Sequence, residues 1–205
     1  MFRNLGDFKF EDVAEKVKVA DYEFSWGALF EDLNLDGRDD LVVSENYIGF
    51  PPHKLKFLRL PGRLLVQTAN GEFAAAGKES GVENFRYSVS PLAADFNQDG
   101  APDLVHVNIG GKSQAFLSEK PAASYLKVAL PNNVKSTGAE VIVEREDGLK
   151  VRQRWIVGEG LCSDSSHTLV FGLADSKPKQ VEVSYLDGRK EIRENLSSNS
   201  LVSFN

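Results

Sequence analysis

An all-β fold is predicted by two features of the sequence. Two matching units, offset by 63 positions, each set short apolar runs on either side of an acidic, Gly-containing loop. In the C-terminal part, apolar and polar residues alternate with period two, the pattern of half-buried strands.

The repeat is ungapped. Asp32 aligns with Asp95, Asn34 with Asn97, Asp36 with Asp99, Gly37 with Gly100 and Asp40 with Asp103. The same offset aligns Phe10 with Phe73, Val19 with Val82, Ser25 with Ser88, Leu29 with Leu92, Leu41 with Leu104 and Val42 with Val105, and sets Phe24 beside Tyr87 as aromatics. Agreement at apolar as well as acidic positions means that a whole structural unit recurs. Residues 1–60 and 61–123 are the two copies. Strands are expected at Phe30-Glu31 and Leu41-Val-Val-Ser around the first loop, and at Leu92-Ala-Ala and Leu104-Val-His-Val around the second. Segment 11–18, with Val13 and Val17 one helical step apart, predicts a helical turn or two, and its counterpart 74–81 is weaker. Pro51-Pro52 and Pro61-Gly62 punctuate the join.

Residues 124–205 form the second domain. Alternation at Leu126–Leu130, Val141–Glu144, Val151–Val157, Val181–Tyr185 and Leu201–Phe204, with Asp147-Gly148 and Asp187-Gly188 between runs, predicts an antiparallel, sandwich-like β domain with tight two-residue turns.

Each acidic loop reads Asp-x-Asn-x-Asp-Gly-x-x-Asp. Oxygen side chains at positions 1, 3 and 5 converge when the chain curls tightly, and Gly at position 6 permits the turn. The ligand sets are Asp32, Asn34, Asp36 and Asp40, with the Arg38 carbonyl at position 7, and Asp95, Asn97, Asp99 and Asp103, with the Ala101 carbonyl. Position 12 holds Val43 or His106, so neither loop is an EF-hand. Three carboxylates and an amide suit a hard divalent ion, and Ca²⁺ tolerates irregular geometry better than Mg²⁺, so two Ca²⁺ sites are expected. Without an ion the carboxylates repel one another. The plainer alternative is a pair of Asx-turns. Asp39 faces Pro102 across the repeat and reads as a solvated charge.

Composition narrows the classes. With 24 Lys+Arg against 30 Asp+Glu, the net charge of −6 argues against a duplex nucleic-acid binder. No apolar run reaches the ~18 residues of a membrane helix. No secretory signal is visible in residues 1–30. The single cysteine, Cys162, excludes an intrachain disulfide and a thiolate-clustered metal, and reads as a small semi-buried residue.

The loops, with Phe24-Ser-Trp-Gly-Ala-Leu and Tyr87-Ser-Val-Ser-Pro-Leu before them and Arg3–Phe10 and Leu64–Phe73 as strand-and-turn segments, resemble FG-GAP/VCBS repeats of integrin-α-type β-propellers. Gly138-Ala-Glu-Val, Gly158-Glu-Gly-Leu with Ser163-Asp-Ser-Ser, Phe171-Gly-Leu and Val183–Gly188 resemble the ASPIC/UnbV domain of cartilage-acidic-protein-like proteins. Tyr185-Leu186 stand where that family has Trp-Pro. The resemblance implies propeller-type blades, about two in this chain, followed by the β domain. Propellers use four to eight blades, so a fragment or truncated member is expected, with blade edges open to self-association.

The resemblance further implies a non-enzymatic, calcium-stabilised module for adhesion or protein interaction outside the cell or at its surface, with a protein or glycan ligand. The alternative is a carbohydrate-binding or accessory domain of a polysaccharide-processing protein. His53, His106 and His167 are scattered, and Ser163–His167 reads as a polar turn rather than a triad, which needs separate elements. Lys54, Lys56, Arg59 and Arg63 read as the solvated face of an edge strand rather than an anion patch. Phe24, Trp26 and Trp155 read as core.

Overall fold

The computed structural model describes residues 1–20, 25–45, 62–119, 123–158 and 164–205. Strands flank both acidic loops, as expected. Strands β1 (Phe2–Gly6) and β2 (Lys9–Asp12) form a hairpin closed by Asp7 and Phe8, both at positive φ. Strands β3 (Ser25–Glu31), β4 (Asp40–Glu45), β5 (Arg63–Gln67) and β6 (Phe73–Ala75) follow as a four-stranded antiparallel meander. Strands β7 (Ser88–Ala94), β8 (Asp103–Asn108) and β9 (Gln114–Phe116) form a three-stranded one.

Segment 11–18 closes one turn, in which the Val17 N–H donates to the Val13 carbonyl (2.9 Å), without becoming a helix. Its counterpart tightens into a 3-10 turn over Lys78–Ser80. The repeat extends to irregularities. The β3–β4 register shifts between Ser25 and Gly27, and the β7–β8 register between Ser88 and Ser90, their counterparts. Phe10 and Phe73 differ in burial, at 60% and 3% exposed, because Phe73 packs with Leu41, Val43 and Leu65 while β1–β2 form a two-stranded sheet of their own.

The two meanders meet through Leu29 and Val42 on one side and Ala93 and Leu104 on the other. Gly27 makes that approach possible, since a Cβ there would sit 2.5 Å from the Val89 carbonyl oxygen. A buried polar knot lies beside it. Ser44 Oγ and Ser88 Oγ are 2.7 Å apart, and both lie within 3.3 Å of His106 Nδ1. Burial pushes His106 down to about 4, so the folded chain keeps the ring neutral. A depressed histidine stabilises the fold above its unfolded value near pH 6.5, and that contribution is lost as pH falls toward the folded value. Between about pH 7.5 and pH 5 it is worth about 2 kcal/mol. Urea unfolding of the wild type and His106→Gln at both pH values should show that loss as the difference between the two proteins. An identical pH dependence would refute it.

The C-terminal domain holds β10 (Ser124–Ala129), β11 (Glu140–Arg145), β12 (Lys150–Arg154), β13 (Thr168–Ala174), β14 (Pro178–Ser184), β15 (Lys190–Glu194) and β16 (Ser200–Ser203). One sheet runs β13-β10-β16 and the other β12-β11-β14-β15. Leu126, Val128, Phe171 and Leu173 from the first and Val141, Val143, Val181 and Val183 from the second fill a common core, the packing of a sandwich. Against the antiparallel expectation, β16 runs parallel to β10.

The turns differ from the two-residue expectation as well. The Gly148 N–H donates to Arg145 O and the Arg145 N–H to Leu149 O, so Glu146-Asp147-Gly148 is a three-residue loop; Leu186-Asp187-Gly188 is built alike. A two-residue type I′ turn needs positive φ at both central positions, and here Gly148 and Gly188 have it while Asp147 and Asp187 do not.

Of the aromatic residues expected in the core, Trp155 is buried and Trp26 is 42% exposed; Phe24 lies outside the described residues. Trp26 sits at the bulge, where the alternation of faces breaks. Cys162, His53, Lys54, Lys56 and Arg59 also lie outside them. Arg63, expected on a solvated face, holds both carboxylate oxygens of the fully buried Glu45 at 3.2 Å.

Candidate cation-binding loops

Both acidic loops turn through the same backbone. Leu35 and Gln98 each have φ of 60°, and Gly37 and Gly100 have φ of 90° and 99°, so position 6 demands glycine. The carboxylate at position 1 is the anchor. Asp32 accepts the N–H groups of Asp36 (3.0 Å) and Gly37 (2.8 Å), and Asp95 those of Asp99 and Gly100 (both 3.0 Å). The position 3 amides repeat too, with Asn34 Oδ1 accepting from Asp36 N–H and Asn97 Oδ1 from Asp99 N–H. Position 5 accepts from position 7, Arg38 N–H onto Asp36 and Ala101 N–H onto Asp99, each at 2.9 Å. Position 9 reaches the next strand or its exit. Asp40 Oδ1 accepts the Gln67 N–H (2.9 Å) and Asp103 Oδ1 the Ser118 N–H (2.8 Å).

The charges are balanced differently. In the second loop Asp103 Oδ2 accepts the Phe96 N–H at 2.8 Å, and Lys127 Nζ from β10 pairs with Asp95 Oδ2. In the first loop Leu33 N–H, the counterpart of Phe96 N–H, donates to Glu31 O (3.0 Å) and only weakly approaches Asp40, whose buried Oδ2 is left without a hydrogen bond of good geometry. Among the described residues no cation pairs with Asp32 or Asp40, each 1% exposed. Asp36 alone has one, Arg38. Burial, with the neighbouring carboxylates adding to it, pushes Asp32 up to about 7 and Asp40 up to about 6.

Asp39, read as a solvated charge, is half-buried and lines a cleft of about 210 Å³ with Phe30, Arg152 and Arg154; burial pushes its carboxyl upward. With the side chains as they stand, no three His, Cys, Asp or Glu groups converge to hold a metal among the described residues. Asp36 has turned to Arg38, while the amide and carbonyl oxygens that complete each set come from Asn34, Asn97, Arg38 and Ala101.

Sequence reasoning missed what the loops rest on. The first is seated on β13, where the Ala174 N–H donates to Leu35 O (3.0 Å), and is reached from β11 by Arg145 Nη1, which donates to Asp36 O (3.2 Å). Gly172, the middle residue of Phe171-Gly-Leu, is the contact point, since a Cβ there would lie 2.1 Å from Asp32 Oδ2. The second is seated on β10, with Gly100 against the Tyr125 ring. Ser165 and Ser166 clip the domain to Ala93 of β7, and His167 stacks on Trp155 at 5.1 Å, so the Ser163–His167 stretch serves docking as far as it is described. The signal available in sequence was an apolar residue, Leu35, set between Asn34 and Asp36 in an otherwise polar loop; the structure buries it at 1% exposure.

Residues 130–205 match the family model described as ASPIC and UnbV. That match begins one residue after β10, the central strand of its sheet. No curated protein matches the chain. No helix among the described residues is long and apolar enough to cross a membrane.

Proposed function

We propose that this chain is a non-enzymatic, calcium-stabilised β module in which two FG-GAP/VCBS-like, blade-type units stand before an ASPIC/UnbV domain, serving adhesion or protein interaction outside the cell or at its surface. The observation that carries this reading is the poorly satisfied, buried Asp40 Oδ2 in the same loop as the buried Asp32. A buried carboxylate with no cation and with one oxygen lacking a well-formed hydrogen bond is costly to bury, and a hard divalent ion removes the cost.

Asp32, Asn34, Asp36 and Asp40, with the Arg38 carbonyl, would hold it; Asp95, Asn97, Asp99 and Asp103, with the Ala101 carbonyl, are the equivalent set. Bound Ca²⁺ supplies the positive charge that lets the carboxylates stay ionised while buried. The rest of the loop is already shaped by its own N–H groups, so the ion fastens a preformed hairpin rather than creating one.

Equilibrium dialysis against CaCl₂ tests this. The wild type should take up calcium saturably, and Asp32→Ala with Asp40→Asn should abolish binding at the first loop without changing the far-ultraviolet circular dichroism. Absence of saturable uptake by the wild type would overturn the reading. The carbohydrate alternative draws on the cleft lined by Phe30, 46% exposed, beside Arg152, Arg154 and Asp39. A glycan array probed with and without calcium separates the two, since saturable glycan binding lost in Phe30→Ala would favour carbohydrate.

A further inference from the structure

The two loops share a backbone and a ligand pattern, yet their charges are answered by different means. Lys127 projects from the C-terminal domain onto the anchor carboxylate of the second loop, with side-chain exposures of 16% for Lys127 and 7% for Asp95. The same ammonium lies 5.6 Å from the centroid of the Tyr125 ring, which closes over Gly100. Both oxygens of Asp103 accept backbone N–H groups, and Asp99 accepts from Asn97 Nδ2 (2.9 Å) and Ala101 N–H. Every carboxylate of the second loop is thus supplied with donors or a cation from within the chain. The first loop has no such lysine among the described residues, and Asp40 Oδ2, only weakly approached by the Leu33 N–H, lacks a well-formed hydrogen bond.

We infer that Lys127 is the built-in counter-cation of the second loop, so that the native chain binds one divalent ion, in the first loop, and the second admits an ion only when Lys127 is removed. An ammonium is a compact point charge with three donors, the side chain closest in character to a bound cation. An incoming ion would have to displace it from a largely buried pair, leaving the ammonium unpaired beside the ion's own charge. The second loop then works as a permanent strap between the repeat units and the C-terminal domain, and the first as the ion-dependent one. This inference rests on the calcium reading above and narrows it.

Equilibrium dialysis of the full chain against saturating CaCl₂, with bound ion counted per chain, is the test. One equivalent is expected for the wild type, two for Lys127→Met, and one again for Lys127→Met combined with Asp95→Asn. Two equivalents in the wild type, or one in Lys127→Met, would overturn the inference and leave the calcium reading standing. No uptake by either protein would bring down the calcium reading itself. Should Lys127→Met fail to fold, Asp32→Ala with Asp40→Asn in the otherwise native chain decides the matter. Loss of all binding supports the inference, and one retained equivalent overturns it.

Discussion

Calcium should raise the melting temperature of this protein, and chelation should lower it. Saturation at about 100 times the dissociation constant stabilises a one-site protein by about 2.7 kcal/mol. For a chain of this length that is a shift of about 5–10 °C. The effect should grow with pH, and its sign follows from the buried carboxylates. With no ion bound, Asp32 titrates at about 7 and Asp40 at about 6, both above their ordinary unfolded value. The folded chain therefore holds more protons than the unfolded chain between about pH 4 and pH 7. The stability these groups contribute is complete below that window and lost as pH rises through the folded values, at a cost of about 4 kcal/mol for Asp32 alone.

On the calcium reading proposed above, the ion would pair with the ionised form and reverse the balance, so the gap in melting temperature between the calcium-loaded and chelated protein should widen from about pH 5 to pH 8. His106 contributes equally to both states and cancels from the gap. In chelator, Asp40→Asn should melt above the wild type at the higher pH, because its amide oxygen can keep the Gln67 N–H while the charge is removed. A gap that is absent, or unchanged by pH, would remove the argument.

The repeat made the N-terminal sheets legible, since matching apolar positions such as Leu41 and Leu104 lie on equivalent strands with equivalent bulges. The acidic pattern located the loops because Asp and Asn at alternate positions bond the backbone two to five residues on, a purely local interaction. What escaped was long-range. Lys127 and Gly172 lie far along the chain from the carboxylates they meet, and neither the alternation around Lys127 nor the Phe171-Gly-Leu pattern around Gly172 points to an acidic loop. The Asp-Gly turns were located but mistyped, because the dipeptide fits both a two-residue turn and the last two positions of a three-residue loop. Strand β15 carries little apolar alternation and was legible only as the far side of the turn at Gly188.

Gly172→Ala should be among the most damaging single substitutions in the protein. Gly172 is buried mid-strand in β13, and its φ lies outside the left-handed region, so alanine suits the backbone and any cost is steric. The added methyl would lie 2.1 Å from Asp32 Oδ2, 2.4 Å from the Leu35 carbonyl carbon and 2.6 Å from Leu35 Cα. Two of these atoms are backbone in a loop pinned by the Ala174 N–H, and no side-chain rotation relieves them. The loop must lift, which breaks that hydrogen bond and exposes Leu35, now 1% exposed. Exposing a buried leucine costs about 1.5–3 kcal/mol and the lost hydrogen bond about 1, so a destabilisation of about 2.5–4 kcal/mol is expected from urea unfolding. The shift should depend on Leu35, so that Gly172→Ala costs less in a Leu35→Ala background than in the wild type. The same lift carries Asp32 away from Asp40, so the calcium-induced rise in melting temperature should shrink as well. A destabilisation below about 0.5 kcal/mol, the range of a neutral surface change, would mean that the first loop does not rest on this strand.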